Sequence, residues 1–177
     1  MIIKIKKIIK LLLPPLFFEL IQLINKNNRI TFRGNFNNWE EALIFSKGGY
    51  DSPVILEKVR RASLKVKKGE AIFERDSVCF YKEDYRWPVL SSLLFIAQKN
   101  NSKLRVLDFG GSLGSFYNQH KKYLSDIEDL KWYVVEQSAF VKCGKKEFEN
   151  DVLKFKETII DCFNESKIDV VLLSSVI

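Results

Sequence analysis

The stretch KLRVLDFGGSLGS, residues 103–115, gives the sequence signal that predicts the fold. The first half is a short apolar run that predicts a buried strand, and the second half is a glycine-rich turn. The pattern of residues 115–124 then predicts a helix. A strand, a tight glycine turn and a helix in this order form the first unit of a parallel α/β sheet.

The C-terminal part of the sequence continues this alternation. The predicted elements are a strand within LKWYVVEQ (130–137) that ends in Glu136, a helix over 139–150, a short strand over 152–155 and a strand from Ile168. The last strand, IDVVLLSSV, is largely apolar, as is typical of a strand buried on both faces of a parallel sheet. The sequence therefore predicts a doubly wound, Rossmann-like α/β domain over residues 102–177.

Acids and glycines fall at the carboxyl ends of the predicted strands, where ligands bind in such sheets. We expect a cofactor to contact Asp108, Gly110, Gly111, Gly114 and Glu136. Glycines let the backbone approach a ligand closely, and a carboxylate ending the second strand can accept hydrogen bonds from both hydroxyls of a ribose. A plain strand-to-helix turn that binds nothing is an alternative that the sequence leaves open.

The spacing of the glycines distinguishes between two kinds of cofactor. A dinucleotide fingerprint requires G-x-G-x-x-G, but in the frame that starts at Gly110 the other glycine positions hold Ser112 and Ser115. The order D-x-G-G-x-x-G favours a ligand without phosphate that carries an ammonium and a sulfonium, whose charge Asp108 helps to neutralise. NAD is therefore disfavoured.

Residues 31–101 predict a helical region in front of this domain. An Asn-rich turn can cap a helix that starts near Trp39, Pro53 opens a second helix, and Trp87 starts a third. Residues 70–85 follow neither the helical nor the strand period. We expect this irregular segment to form a lid over the ligand site.

The lid and the helix after the glycine turn hold the candidate proton acceptors, which are Glu74, Asp76, Tyr81 and His120. We favour Asp76 as the catalytic base, because the ERDSV stretch around it can fold over the ligand. A surface turn in which Glu74, Arg75 and Asp76 form ion pairs is an equally good interpretation. His120, the only histidine of the sequence, is more typical of a structural role.

The net charge of +7 is concentrated at one end of the chain. Residues 1–30 carry +5 of it, so the remaining 147 residues are nearly neutral. A nucleic-acid-binding domain would show a basic stripe on its folded body, so we expect no nucleic-acid partner. The basic, apolar residues 1–24 can lie on an anionic membrane surface or pack as a helical arm on the protein, and both alternatives stay open.

The cysteines indicate a cytoplasmic protein without a metal centre. Cys79, Cys143 and Cys162 are odd in number and widely spaced, with no CxxC pair and no nearby histidine. We expect reduced thiols and no bound metal. The protein is then cytoplasmic, and the first 24 residues would bring it to the inner face of the membrane.

The sequence also resembles a family of uncharacterised class I methyltransferases from bacterial surface-polysaccharide gene neighbourhoods. The matching segments are GNFNNWEEAL (34–43), GYDSPVILEKV (49–59), GEAIFERDSV (69–78), LDFGGSLGSFY (107–117), VEQ (135–137), CGKKEF (143–148) and DVVLLSSV (169–176). The resemblance implies S-adenosylmethionine as the cofactor. It does not identify the methyl acceptor, for which a sugar or surface-polysaccharide precursor is the expectation.

The resemblance also assigns roles within the cofactor site. It implies that Asp108 and the glycines form the cofactor loop, in which Ser112 replaces a glycine of many class I enzymes, that Glu136 binds the ribose and that Gln137 lies near the adenine. Asp108 and Glu136 are 28 residues apart, against about 20 for the analogous acid of the Rossmann motif. We expect the excess in the loop around 125–130.

A class I methyltransferase sheet has seven strands, whereas this sequence reaches only the fourth. The resemblance therefore implies a class I fold truncated after the fourth strand, with the C-terminal strands missing and a helical extension at the N-terminus. We expect an S-adenosylmethionine-dependent methyltransferase whose open sheet edge favours self-association. The alternatives are a non-catalytic Rossmann-like nucleotide-binding module and a membrane-peripheral interaction module.

Overall fold

The computed structural model describes residues 34–45 and 53–174. The predicted membrane contact of residues 1–24 lies outside the described residues. The chain divides into two compact units, residues 1–47 and 48–177, and residues 34–45 are the described part of the first. No helix within the described ranges is long and apolar enough to cross a membrane.

Two helices and a pair of strands come first among the described residues, and from residue 87 onward helices and strands alternate. The helices are α1 (Trp39–Phe45), α2 (Pro53–Lys67), α3 (Trp87–Lys99), α4 (Ser115–Leu124), α5 (Ser138–Glu147) and α6 (Ile159–Glu165). The strands are β1 (Phe73–Arg75), β2 (Val78–Phe80), β3 (Lys103–Phe109), β4 (Asp129–Val135), β5 (Leu153–Lys156) and β6 (Val170–Leu173).

Helix α1, in the first unit, begins at the predicted Asn-rich turn. The Oδ1 atom of Asn38 accepts a hydrogen bond from the N–H of Glu41 at 2.8 Å, and the carboxylate of Glu41 accepts one from the N–H of Asn37 at 3.0 Å. These contacts satisfy backbone donors that have no partner inside the helix. The predicted cap is confirmed, with Asn38 in the capping position.

Strands β3 to β6 form one parallel sheet in the order β5-β4-β3-β6. The chain moves outward from β3 through β4 to β5 and then returns to the other side of β3 as β6. This reversal makes the gap between β3 and β6 a topological switch point. The described residues therefore form an α/β fold that is compatible with the predicted Rossmann-like architecture.

The main core lies on one face of this sheet, against α3, α4 and α5. It contains Leu104, Val106, Trp132 and Val134 from the two central strands. A smaller cluster on the other face contains Leu107, Tyr133, Val135 and, from α6, Cys162. Because both faces of β3 and β4 are covered, their sequences are apolar along most of their length.

Helix α5 ends at Glu147, three residues before the predicted end at 150. The carbonyl of Gly144 accepts hydrogen bonds from the N–H groups of both Phe148 and Glu149, at 2.8 and 2.9 Å. The Oδ1 atom of Asn150 then accepts from the N–H of Val152 at 2.8 Å. Asn150 therefore belongs to the turn that starts β5, because its side chain competes with helical hydrogen bonding.

Residues 70–85, whose pattern fits neither period, contain a hairpin, so the helical region predicted over 31–101 is interrupted. Strands β1 and β2 pair antiparallel, with Arg75 opposite Val78. The two connecting residues, Asp76 and Ser77, have φ values of 50° and 66°. Two-residue hairpin turns require this left-handed backbone and usually contain Asn-Gly or Asp-Gly, so Asp-Ser gives only a weak sequence signal.

We expect Ser77→Gly to raise the free energy of unfolding by about 0.5 to 1 kcal/mol. A residue with a Cβ atom costs about 1 to 2 kcal/mol in the left-handed region, and glycine removes this cost. Part of the gain is lost, because glycine makes the unfolded chain more flexible. Urea denaturation measures the change. Ser91→Gly is the matched control, since Ser91 is exposed within α3 and glycine should lower stability there by about 0.5 kcal/mol. A decrease for both variants would contradict the prediction.

Candidate functional site

The carboxyl ends of the three neighbouring strands β4, β3 and β6 form an aligned row. Val135, Phe109 and Leu173 lie opposite one another in the parallel register. The residues that follow them are Glu136, Gly110 and Ser174. We call these three residues the carboxyl row. Ligands bind in this position in doubly wound sheets, at the switch point of strand order.

The glycine loop, residues 110–114, connects the middle of the carboxyl row to α4. Gly114, at the N-cap of α4, has a φ of 80°, which favours glycine. Ser112 also lies in the left-handed region, with a φ of 58°. Ser112 therefore adopts a backbone conformation that favours glycine.

Asp108 lies beneath the loop and is only 1% exposed. A Cβ atom added to Gly111 would lie 2.6 Å from the Asp108 carboxylate, so the absence of a side chain at Gly111 lets the loop cover this acid. The indole Nε1 of Trp132 donates a hydrogen bond to Oδ2 of Asp108 at 3.0 Å. We expected Asp108 to face a ligand directly, but its carboxylate contacts the loop and the core.

Burial raises the pKa of Asp108 from 3.8 to about 7, because the charged form loses its hydration. The hydrogen bond from Trp132 opposes this increase, and the negative charge of Glu136 adds to it. The two acids therefore interact electrostatically, and their joint binding of a ligand stays a prediction. At neutral pH Asp108 is divided between its neutral and charged forms.

Glu136 lies over the loop from the neighbouring strand. Its Oε1 accepts a hydrogen bond from the N–H of Ser112 at 3.1 Å, and its Oε2 accepts one from the N–H of Gln137 at 3.0 Å. The long spacing from Asp108 does not separate the acids, because the parallel register of β3 and β4 places Phe109 beside Val135. Only residues 125–128 lie between α4 and β4, so the loop expected around 125–130 holds only part of the excess. Gln137 is exposed at the N-cap of α5.

Glu74, in strand β1, is the acid of the predicted lid that reaches the loop. It is 4% exposed, and its carboxyl group accepts a hydrogen bond from the hydroxyl of Ser115, the first residue of α4. The N–H of Ser77 donates a second hydrogen bond to it at 3.2 Å. Burial raises the pKa of Glu74, while the hydrogen bond from Ser115 acts in the opposite direction.

Asp76, favoured from the sequence as the catalytic base, lies exposed in the hairpin turn. The turn directs Glu74, two residues earlier, to the helix that follows the glycine loop. Of these two acids, Glu74 is therefore the one that contacts α4, and the role of Asp76 as the catalytic base stays a prediction. The sequence does not reveal which acid contacts α4, because each strand of the hairpin is only three residues long and gives too short a pattern to recognise.

His120 is fully buried, and both of its ring nitrogens have partners. Nδ1 lies 2.8 Å from the carbonyl oxygen of Phe116, and Nε2 accepts a hydrogen bond from the N–H of Arg86 at 3.0 Å. This arrangement requires the neutral ring with its proton on Nδ1, and burial lowers the pKa of His120 accordingly. The interpretation of His120 as structural agrees with these contacts.

Three carboxyl groups thus surround one glycine loop: Asp108 below it, Glu136 across it and Glu74 at the helix that follows. In dinucleotide-binding folds the pyrophosphate lies at the N-terminus of this helix. The carboxyl group of Glu74 is hydrogen-bonded there to Ser115, where it would repel a phosphate. Within the described ranges, no three such side chains are placed to share a metal ion. The arrangement suits a ligand that carries positive charge and no phosphate.

A concave surface lies at the same edge of the sheet, on the β5 side of Glu136. Its lining includes Lys156 and Glu157, at the end of β5. Lys156 is paired with Val135 in the register of β4 and β5. The carboxyl row is therefore flanked on this side by a polar depression. A second concave surface, on α3 around Phe95, does not include the loop.

No protein-family model, curated protein or solved structure matches this chain. The family resemblance of the sequence therefore stays a prediction.

Proposed function

We propose that this chain binds S-adenosylmethionine at the glycine loop and is a methyltransferase. The observation that carries the proposal is the set of three carboxyl groups around a loop whose backbone is bare at Gly111. S-adenosylmethionine has a sulfonium and an ammonium and lacks phosphate. Its charges therefore match a site from which Glu74, which contacts the start of α4, would repel the phosphates of a dinucleotide.

The residues present fit this cofactor from one end of the site to the other. Glu136 would exchange its two backbone hydrogen bonds for the ribose hydroxyls, since a carboxylate at a strand end can accept both. The main chain of the glycine loop would contact the middle of the molecule. Asp108 would act through the loop, because an ion beneath a thin layer of backbone interacts strongly with a charge above it.

Bound S-adenosylmethionine would supply an electrophilic methyl group: the acceptor's nucleophile would bond to the methyl carbon in line with the breaking carbon–sulfur bond, and S-adenosylhomocysteine would leave as a neutral thioether. The protein's part is to position the methyl acceptor, exclude water and accept a proton from a hydroxyl or amine acceptor. Glu74 is the acid of the hairpin that contacts Ser115 at the start of α4. Burial raises its pKa, and shifts of this kind are common among catalytic acids and bases. The acceptor itself is proposed to be a sugar or polysaccharide precursor, on the resemblance alone.

Calorimetric titration of the full chain with S-adenosylhomocysteine tests the proposal. We expect the wild-type chain to bind, and Glu136→Ala to weaken binding by at least about tenfold, because a charge-assisted pair of hydrogen bonds contributes about 1.5 to 3 kcal/mol. The matched control is Glu128→Ala. Glu128 is exposed at the opposite edge of the sheet, just before β4, and its loss should change the dissociation constant by less than about twofold.

Parallel titrations with NAD and ADP separate the proposal from a nucleotide-binding module. Binding of either phosphate-bearing ligand, with no binding of S-adenosylhomocysteine, would refute the methyltransferase proposal. Equal weakening by Glu136→Ala and Glu128→Ala would show that the titrated site is not the carboxyl row.

A further inference from the structure

Arg86 lies at the β6 end of the carboxyl row. It immediately precedes α3, and its Nη1 donates a hydrogen bond to the hydroxyl of Ser174 at 3.1 Å. Ser174 follows Leu173, which lies opposite Phe109. The guanidinium is therefore held at the end of β6, beside Gly110 and across the switch point.

The main chain of Arg86 is fixed separately from its side chain. Its N–H donates to Nε2 of the buried His120 at 3.0 Å. His120 belongs to α4, the helix that follows the glycine loop. The position of Arg86 relative to the loop is thus determined by a backbone contact that any residue other than proline would keep.

The charge of Arg86 is not paired with an acid. Of the five arginines in the described ranges, four lie within 4 Å of a carboxylate: Arg60, Arg61, Arg75 and Arg105. Asp84, an acid near His120, pairs with Arg75 at 3.9 Å. The one side-chain hydrogen bond of Arg86 among the described residues goes to a neutral hydroxyl. A half-buried guanidinium with most of its donors free is suited to a carboxylate or phosphate ligand.

We propose that Arg86 binds the carboxylate at the amino-acid end of S-adenosylmethionine, an inference that rests on the proposed function. Glu136 and Ser174 are the opposite ends of the carboxyl row, two strand spacings or about 10 Å apart, and Arg86 is hydrogen-bonded to Ser174. A nucleoside bound through its ribose at Glu136 therefore extends its amino-acid chain across Gly110 towards β6. The carboxylate at the amino-acid end of the cofactor then meets the guanidinium of Arg86.

Two ligands that differ only in this end of the molecule test the proposal. S-adenosylhomocysteine carries the amino-acid chain, and 5′-methylthioadenosine has the same nucleoside and sulfur without it. We expect Arg86→Gln to weaken S-adenosylhomocysteine binding by about 10- to 100-fold, the loss of a charge-assisted hydrogen bond. Binding of 5′-methylthioadenosine should change by less than about twofold. The affinity of Arg86→Lys for S-adenosylhomocysteine should lie between those of the wild type and Arg86→Gln. Lysine keeps the positive charge but lacks the planar guanidinium that can donate two parallel hydrogen bonds.

Arg61→Gln is the charge-matched control, because Arg61 is 74% exposed on α2. It should leave both dissociation constants unchanged. An unchanged S-adenosylhomocysteine affinity in Arg86→Gln overturns the inference, and so does an equal loss for both ligands, which would indicate a structural role. If the wild-type chain binds neither ligand, the proposed function fails first, and the inference fails with it.

Discussion

Asp108→Asn is expected to stabilise the protein at pH 8 by between about 1 and 4 kcal/mol. Burial places the pKa of Asp108 at about 7, against 3.8 for an exposed aspartate. At about 1.36 kcal/mol for each pKa unit, the ionised carboxylate costs up to about 4 kcal/mol in the folded state. Asparagine carries no charge, and its carbonyl oxygen can still accept the hydrogen bond from Trp132. Burying the polar amide of asparagine also costs free energy, and this cost sets the lower limit of the expected stabilisation.

The effect has a defined pH dependence. Between pH 4 and pH 7 the folded state keeps a proton on Asp108 that the unfolded state has lost. The contribution of Asp108 to the free energy of unfolding of the wild type therefore falls as pH rises through that window. The advantage of Asp108→Asn over the wild type should therefore grow by about 3 kcal/mol between pH 5 and pH 8 and then remain constant. Urea denaturation at several pH values measures this difference.

Asp129→Asn provides a control of opposite sign. Asp129, at the start of β4, forms an ion pair with Arg105 at 2.6 Å, and the hydrogen bond from Arg105 lowers its pKa. The stabilisation that ionised Asp129 supplies is present at neutral pH and is lost as pH falls through the lowered pKa. Asp129→Asn should therefore be less stable than the wild type at pH 8. A pH-independent difference between Asp108→Asn and the wild type would refute the buried, ionisable role of Asp108.

The cost of Asp108 is explained if its charge is used for binding. Groups that destabilise a protein are often kept where they serve a functional site, and Asp108 lies beneath the loop that is proposed to bind the cofactor. We therefore expect the stabilised Asp108→Asn chain to bind the sulfonium form of the cofactor more weakly at pH 8. This trade between stability and binding separates a functional acid from a merely tolerated one.

The parallel sheet and its carboxyl row could be predicted from the sequence because their signals are local. The apolar runs that end at Phe109 and Val135 each give a strand and its last residue, and parallel register then brings Gly110 and Glu136 together. The doubly wound order follows from the alternation of strands and helices. Self-association through the β6 edge stays a prediction.

The parts of the site that the sequence did not reveal depend on long-range contacts. Glu74 reaches Ser115 across 41 residues, and Arg86 reaches Ser174 across 88. Neither contact leaves a periodic pattern, and the first depends on a hairpin with a weak turn signal. The burial of Asp108 was also hidden, because the same D-x-G-G order is compatible with an acid above the loop or beneath it.

Gly111→Ala is expected to destabilise the chain by about 1 to 3 kcal/mol and to abolish S-adenosylhomocysteine binding. The added methyl group would lie 2.6 Å from both the Cγ and an oxygen of the Asp108 carboxylate, closer than van der Waals contact allows. Asp108 is held by Trp132 and by the core around it, so the loop must move instead. A displaced loop loses the hydrogen bond between Ser112 and Glu136, and with it the arrangement of the carboxyl row.

Gly69→Ala separates this steric effect from ordinary glycine behaviour. Gly69 has a φ of 75°, but a Cβ atom there would meet nothing within 4 Å. Alanine at Gly69 should therefore cost about 1 kcal/mol of backbone strain and leave ligand binding intact. The double variant Gly111→Ala, Asp108→Ala removes the group that the methyl collides with and should recover part of the lost stability. If the two single glycine variants behave alike in both denaturation and titration, the loop does not depend on the close approach of Gly111 to Asp108.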